Sequence, residues 1–194
     1  MSEGKKVQSA HLTYHERRKF HQERLEEMKI VAEYMDDEKL VEIADKIDKA
    51  NSVFVVALGR SRMNIMAFAM RLRQMRIRAH VVGDISTPSI HKGDLLIIGS
   101  SSGETASLVT FAKKAASYGV EIALFTEAEK STIGDLASTV YRMDADQSRL
   151  KKPTGLYAEY AIDLAYNCIV MYLMKKRGLT PEKMQEELAN LRCV

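Results

Sequence analysis

The stretch Asp94-Leu-Leu-Ile-Ile-Gly99-Ser-Ser-Ser-Gly103-Glu-Thr105 decides the fold class, because an apolar run leads directly into a polar turn that contains glycine. The run from Asp94 to Gly99 is apolar on both faces of a strand, which is typical of a buried strand in a parallel sheet. The turn is followed by a helical pattern that runs to about Tyr118. The stretch therefore predicts a β-strand, a loop and a helix in direct succession.

Four further short apolar runs are predicted to form strands, and helical patterns separate them. The runs cover residues 52–58, 79–82, 121–125 and 139–143, and helices are expected after Gly59, at 129–138, at 155–176 and from Pro181. Two amphipathic helices come first, at 17–34 and after Asp36 and Asp37, which can cap the second one. This alternation predicts a doubly wound α/β fold, a five-stranded parallel sheet sandwiched by helices.

The length of 194 residues fits a single domain over residues 16–194, preceded by a flexible N-terminal tail over residues 1–15. Apolar residues make up 46% of the chain, yet no run approaches the ~18 apolar residues of a membrane span. The first residues lack the apolar core of a signal peptide. Two cysteines, Cys168 and Cys193, are too few for a disulfide framework or a zinc site. We expect a cytoplasmic protein without a membrane association.

Positive charge is concentrated in one part of the chain, although the net charge is only +3. Residues 49–83 contain seven lysines and arginines and no acidic residue. Such an excess indicates an anionic partner, or else a solvated face that pairs with carboxylates from elsewhere. The chain has no tryptophan, and its arginines are not interleaved with aromatic residues, so nucleic acid is an unlikely partner.

The turn Gly59-Arg60-Ser61 follows the first predicted strand, where a dinucleotide-binding fingerprint would lie. Only the middle glycine of that fingerprint is present, and the acidic residue expected ~20 positions later is missing. We therefore predict no NAD or FAD site. Ser61 offers a hydroxyl at the start of a helix, either for a ligand or as the N-cap of that helix.

The loop over residues 100–105 carries four hydroxyl side chains in six residues. Hydroxyls that converge on unsatisfied N–H groups at a helix N-terminus suit a phosphate group, and Gly103 would let the backbone approach it closely. The loop lacks the Gly-Lys-Ser/Thr of a nucleotide-binding P-loop. The alternative is that these side chains only cap the helix.

These motifs together resemble a known family. The Ser-x-Ser-Gly-Glu-Thr loop resembles the phosphosugar-binding loop of the SIS (sugar isomerase) domain family, and Gly59-Arg60-Ser61 resembles that family's first ligand loop. With the segments 53–55, 68–72, 87–88 and 93–96, the chain resembles 6-phospho-3-hexuloisomerases over residues 25–191. The resemblance implies a cofactor-independent isomerase of sugar phosphates that forms a homodimer or homotetramer.

The resemblance also implies roles for individual residues. The phosphate would be held by the hydroxyls of four residues and by the backbone N–H groups of Ser101 and Ser102. Those four hydroxyls belong to Ser61, Ser100, Ser102 and Thr105. Further substrate contacts would come from Gly59, Arg60, Thr87 and Gly103, and no metal is implied. Glu159 lies four residues after Gly155, as the base of these isomerases does, and a carboxylate can move a proton between adjacent carbons. Without the resemblance, Glu159 would be explained as a first-turn acid that stabilises a helix dipole.

One difference from the family's sequence pattern leaves a second function open. The family's C-terminal histidine, which lies in an Arg-His-Ala-Asn-Leu segment, is replaced here by Leu188 in Glu187-Leu-Ala-Asn-Leu191. Leucine cannot transfer a proton, so the alternative function is a non-catalytic phosphosugar-binding sensor or regulator. Among the five histidines, His91 is the only one expected near a ligand-side loop, and an exposed position is its simpler explanation.

Overall fold

The computed structural model describes residues 12–143 and 156–188, and it confirms the doubly wound α/β fold. Five parallel strands form one sheet in the order β2-β1-β3-β4-β5. The strands are β1 (Val53–Ala57), β2 (Ala79–Val81), β3 (Leu95–Gly99), β4 (Glu121–Thr126) and β5 (Thr139–Arg142). Each lies within one residue of its predicted ends, because every one of them is an apolar run bounded by polar residues or glycine.

Helices cover both faces of this sheet. They are α1 (Tyr14–Glu33), α2 (Asp37–Lys49), α3 (Gly59–Gln74), α4 (Ala106–Ser117), α5 (Thr132–Leu136), α6 (Leu156–Arg177) and α7 (Pro181–Glu186). One hydrophobic core joins the sheet to α1, α2, α3, α6 and α7, and a second core joins the other face to α4 and α5. The two-sided burial explains why β1 and β3 are apolar throughout and fully buried.

The order of the strands determines where a crevice opens. From β1 the chain passes through α3 to β2 at one edge, whereas from β3 it passes through α4 to β4 on the other side. β1 and β3 are neighbours, with Ala57 aligned to Gly99. Because α3 and α4 leave these two strands toward opposite faces, the loops after them diverge at the carboxyl edge of the sheet. This is the place where doubly wound folds bind ligands.

Several boundaries differ from the sequence expectation. Helix α1 begins at Tyr14 rather than at Arg17, because Thr13 and Glu16 form a capping box. The tail predicted over residues 1–15 is therefore too long at its C-terminal end, and residues 1–11 lie outside the described part of the chain. Helix α5 spans five residues instead of the predicted ten, since it starts only at the cap Ser131. None of the helices in residues 12–143 and 156–188 is long and apolar enough to cross a bilayer.

Candidate active site

A pocket of about 350 Å³ lies at the carboxyl edge of β1 and β3. It brings together the two predicted ligand loops and the first turn of α6, which come from distant parts of the sequence. Its lining consists of Gly59, Arg60, Ser61, Ser100, Ser101, Met143, Ala158, Glu159 and Ile162. Six of these nine residues were predicted as site residues from the sequence.

The two helices that follow the predicted ligand loops, α3 and α4, have no side-chain caps. The N-cap of α3 is Leu58 and that of α4 is Thr105, and neither side chain accepts a hydrogen bond from its helix. In contrast, the helices α1, α2, α5 and α7 are capped by Thr13, Asp36, Ser131 and Thr180. Neither α3 nor α4 carries an acidic residue in its first turn. The positive ends of both helices are therefore open to an anion.

This geometry tests one of the two alternatives for the loops, that their hydroxyls only cap α3 and α4. Ser61 lies in the first turn of α3 and is not its N-cap, which is Leu58. The loop over residues 100–105 does not cap α4 either, since that helix begins at Ala106 and Thr105 makes no capping hydrogen bond. The explanation of these hydroxyls as caps of α3 and α4 is therefore wrong.

Hydrogen bonds within the serine loop fix its shape. The buried Ser100 hydroxyl accepts from the Gly103 N–H at 3.1 Å and lies 3.5 Å from the Thr105 hydroxyl. The Ser102 hydroxyl accepts from the Glu104 N–H at 3.2 Å. Within residues 12–143 and 156–188, the N–H groups of Ser101 and Ser102 have no hydrogen-bond acceptor. The loop thus presents two free backbone donors beside three hydroxyls.

Gly103 is required for a reason that the sequence did not reveal. Its φ of +62° lies in the left-handed region, and a Cβ atom there would approach the Ser131 hydroxyl oxygen to 2.1 Å. Ser131 caps α5, and the neighbouring Glu104 carboxylate accepts from the Thr132 N–H, a bond that lowers the pKa of Glu104. Gly103 therefore allows the serine loop to pack against α5, rather than serving only the approach of an anion.

Glu159 faces the two loops from α6. One carboxylate oxygen, Oε1, is buried and lies in ion-pair contact with the Arg60 guanidinium, although the contact lacks hydrogen-bond geometry. The backbone of the same turn is held by Asn64 of α3, whose side-chain amide donates to the Glu159 carbonyl at 3.3 Å. Asn64 is a positioning residue that the sequence reasoning missed, because its role depends on the crossing of α3 and α6.

Tyr166 lies one to two turns beyond Glu159 on α6 and is fully buried. Its ring stacks on Phe68 with centroids 4.5 Å apart and meets Phe125 edge-on. Its hydroxyl has no hydrogen-bond partner within the described residues and would lie 3.4 Å from a Cβ atom added to Gly99, at the end of β3. Burial strongly raises the pKa of this phenol, so it stays protonated.

Thr87, which the resemblance implies as a substrate contact, lies elsewhere, and so does the side chain of Arg62. The Thr87 hydroxyl donates to the Val81 carbonyl at 2.7 Å, and the residue lines a different pocket, beside the edge strand β2. Arg62 donates to the Val82 carbonyl and pairs with Asp84 at 3.3 Å. Both side chains stabilise the loop after β2. The structure thus does not bring Thr87 to the candidate active site.

The remaining arginines of the basic stretch have partners within the chain. Arg71 contacts Gln74, and Arg73 donates to the Ala79 carbonyl on the open side of the edge strand. The other two, Arg76 and Arg78, bind the Glu187 carboxylate and the Asn51 carbonyl. Of the basic residues at 49–83, all of which the structure describes, only Arg60 lines the pocket, and the other five arginines bond within the chain.

The described histidines and Leu188 do not line this pocket. His80 of β2 packs against Phe54, and His91 is exposed. Leu188 lies in a groove between α3, α6 and α7, while residues 189–191 of the same segment fall outside the described residues. Over residues 12–143 and 156–188, no cluster of His, Cys, Asp and Glu side chains is arranged to hold a metal ion.

Comparison with known proteins agrees with this architecture. The SIS domain model matches residues 46–160, from α2 to the first turn of α6, which includes both loops and Glu159. This chain belongs to the SIS domain family. A 3-hexulose-6-phosphate isomerase of Bacillus subtilis is 39% identical over 174 residues, which is 86% of this chain and 94% of that protein.

Solved structures share the fold of this SIS domain protein. A protein of Methanococcus jannaschii, whose structure infers a molecular function of 3-hexulose-6-phosphate isomerase, has a TM-score of 0.78 and 28% identity. The match covers 90% of this chain and 99% of that one. The NanR protein of Vibrio vulnificus, solved with ManNAc-6P, shares only the fold, with a TM-score of 0.69 and 19% identity over 87% of this chain and 64% of that one. The family therefore includes phosphosugar isomerases that match this chain over nearly its full length.

Proposed function

We propose that this protein isomerises a ketohexose 6-phosphate by moving its carbonyl group between C3 and C2, without a metal or redox cofactor. The observation that carries the proposal is the pocket itself, in which the uncapped N-terminus of α3 and residues 100–101 of the serine loop meet the Glu159 carboxylate. The serine loop leads into α4, whose N-terminus is also uncapped. The relatives named 3-hexulose-6-phosphate isomerase support this choice of substrate.

The phosphate is assigned to the side of the pocket that carries the hydroxyls. Four of them are assigned to the phosphate, those of Ser61, Ser100, Ser102 and Thr105, and of these Ser61 and Ser100 line the pocket. They are joined by the free N–H groups of Ser101 and Ser102, by the Arg60 guanidinium and by the dipoles of α3 and α4. Charge-assisted hydrogen bonds of this kind contribute roughly 1.5–3 kcal/mol each. Several together are sufficient to hold a phosphate ester without a metal ion.

Glu159 is assigned as the base. Its carboxylate removes the proton from C2 of a 3-ketose while O3 gains a proton, which gives an enediol across C2 and C3. Return of the proton to C3 and loss of the proton from O2 then give the 2-ketose. One carboxylate can serve both carbons because they are adjacent, and its position at the end of α6 is held by Asn64. The same step would convert an aldose into a ketose if C1 and C2 reached the carboxylate.

Replacement of Ser102 by alanine tests the phosphate assignment. We expect the affinity for a ketohexose 6-phosphate to fall about tenfold or more, while the affinity for the free sugar stays unchanged. Ser117→Ala is the matched control, because Ser117 is an exposed serine at the far end of α4. Calorimetric titration of both variants measures the difference. An equal loss for sugar and sugar phosphate would contradict the assignment.

We also propose that the protein is a homodimer or homotetramer. Helix α1 exposes Tyr14, Phe20, Leu25 and Met28, and α3 exposes Met63, Met66 and Met70. Apolar surface on this scale is typical of subunit contacts. Sedimentation or light scattering would give a mass that is a multiple of 21.9 kDa, and a monomer at micromolar concentration would contradict the proposal.

A further inference from the structure

The Arg60–Glu159 ion pair connects phosphate binding with proton transfer. The Arg60 guanidinium is suited to bind a phosphate, yet it contacts the carboxylate that we assign as the base. Arg60 lies in the first turn of α3, beside the serine loop, and Glu159 lies in the first turn of α6. The two residues are 99 positions apart, so the contact results from the tertiary fold. This inference rests on the proposed function of the pocket.

The two partners differ in their freedom to move. The side chain of Arg60 is 70% exposed, whereas that of Glu159 is only 26% exposed and its backbone is held by Asn64. An exposed arginine changes rotamer at low cost, because its own guanidinium stays in water in either position. If the contact breaks, Arg60 is therefore the side chain that moves.

The incoming phosphate is the stronger anion for a guanidinium. A phosphate monoester carries between one and two negative charges at neutral pH and can accept two parallel N–H bonds from arginine. The contact with Glu159, in contrast, lacks hydrogen-bond geometry. The free N–H groups of Ser101 and Ser102 mark where such a phosphate would lie, and Ser101 lines the pocket together with Arg60.

We propose that Arg60 is exchanged between two anions during the reaction cycle. In the free protein it neutralises the Glu159 carboxylate, so the pocket does not repel an arriving phosphate. In the complex it binds the phosphate and leaves the carboxylate free to accept a proton. Binding of the phosphate thereby activates the base, which gives the site a preference for phosphorylated sugars.

A double-mutant cycle tests this exchange. Fructose 6-phosphate is the probe, and its affinity is measured by calorimetric titration for the wild type, Arg60→Gln, Glu159→Gln and the double variant. With Arg60 present, Glu159→Gln should tighten binding about two- to fivefold, because the phosphate no longer competes for the guanidinium. In the Arg60→Gln background the same change should have a smaller effect, since it removes only the repulsion between carboxylate and phosphate.

The sign of the coupling between Arg60 and Glu159 shows whether the arginine moves to the phosphate. If Arg60 never leaves Glu159, the ion pair screens the carboxylate, and the gain from Glu159→Gln would be larger without Arg60 than with it. That result, or equal gains, would overturn the exchange while the isomerase function still stands on the turnover of the wild type. Absence of fructose 6-phosphate binding by the wild type would overturn both.

Two controls keep this experiment decisive. Arg62→Gln removes an arginine two positions away that is tied to Val82 and Asp84, and it should show no coupling to Glu159→Gln. Glu159→Ala serves as a second neutral variant if the glutamine variant does not fold. Circular dichroism and melting temperature without ligand identify any variant that has lost its structure.

Discussion

Replacement of Thr105 by aspartate should stabilise α4 and weaken the binding of phosphate at its N-terminus. Thr105 is the N-cap of α4, but its side chain makes no capping hydrogen bond. Aspartate is a better capping residue and also favours the positive end of the helix dipole, so we expect a gain of about 0.5–1 kcal/mol in the free energy of unfolding. For a chain of this size, the corresponding rise in Tm is about 1–4 °C.

The same substitution should abolish most of the binding of sugar phosphates. The new carboxylate would occupy the helix N-terminus that we assign to the phosphate and would repel it. The loss of one charge-assisted hydrogen bond alone lowers affinity about 10- to 100-fold. The variant is therefore expected to be more stable without ligand and to gain much less stability than the wild type when a sugar phosphate is added.

Thermal melts with and without fructose 6-phosphate, together with calorimetric titration, measure both effects. Thr105→Asn is one control, because it supplies a cap without a negative charge and should keep more of the affinity. Thr180→Asp is the second control, since Thr180 already caps α7 away from the pocket. If Thr105→Asp binds the sugar phosphate as tightly as the wild type, α4 does not hold the phosphate.

Two further predictions concern stability. Gly103→Ala should cost about 2–5 kcal/mol, from left-handed strain and from a Cβ atom 2.1 Å from the Ser131 hydroxyl oxygen. Gly59→Ala, at a φ of +58° but with open space around it, should lower the free energy of unfolding by only about 1–2 kcal/mol. Denaturant unfolding measures both variants, and equal losses of stability in the two would contradict the packing argument. Burial, and next the charge of Arg73, lowers the pKa of His80, so the unfolded chain binds the proton more readily. The free energy of unfolding should therefore fall as the pH falls below ~6.5. His80→Asn should reduce this pH dependence, and an unchanged pH dependence in that variant would show that another group causes it.

Much of the fold follows from local sequence patterns. The strands β1, β3 and β4 are short apolar runs with β-branched residues, and each leads into a polar turn, so the sequence alone predicts them to within one residue. Their parallel arrangement follows from the alternation of strands and helices, whereas the order of the strands in the sheet was not predicted from the sequence. The start of α1 was misplaced, because the capping box of Thr13 and Glu16 lies in a polar segment without apolar periodicity.

The residues around the pocket could be predicted where they belong to a recognisable loop motif. The two ligand loops were predicted from their motifs and Glu159 from the family resemblance. The structure brings six of these residues into one pocket, namely Gly59, Arg60, Ser61, Ser100, Ser101 and Glu159, whereas Ser102, Gly103 and Thr105 do not line it. Thr87 was misplaced, since the bond of its hydroxyl to Val81 depends on how the loop after β2 folds back. The contributions of Asn64 and Tyr166 were missed, because both depend on the packing of α6 against α3 and the sheet. Contacts between segments that are distant in the chain leave no pattern in a short stretch of sequence.

Proton transfer by Glu159 is the central claim, and its most direct test is the exchange of substrate C–H for deuterium. The wild type, incubated in D₂O with fructose 6-phosphate, should incorporate deuterium at the carbon next to the carbonyl, as followed by proton NMR. Glu159→Gln should slow this exchange and the isomerisation by about 10²–10⁴-fold. Asp163→Asn, which changes an exposed carboxylate one turn further along α6, should leave both rates unchanged. Full exchange and turnover by Glu159→Gln would show that another group moves the proton.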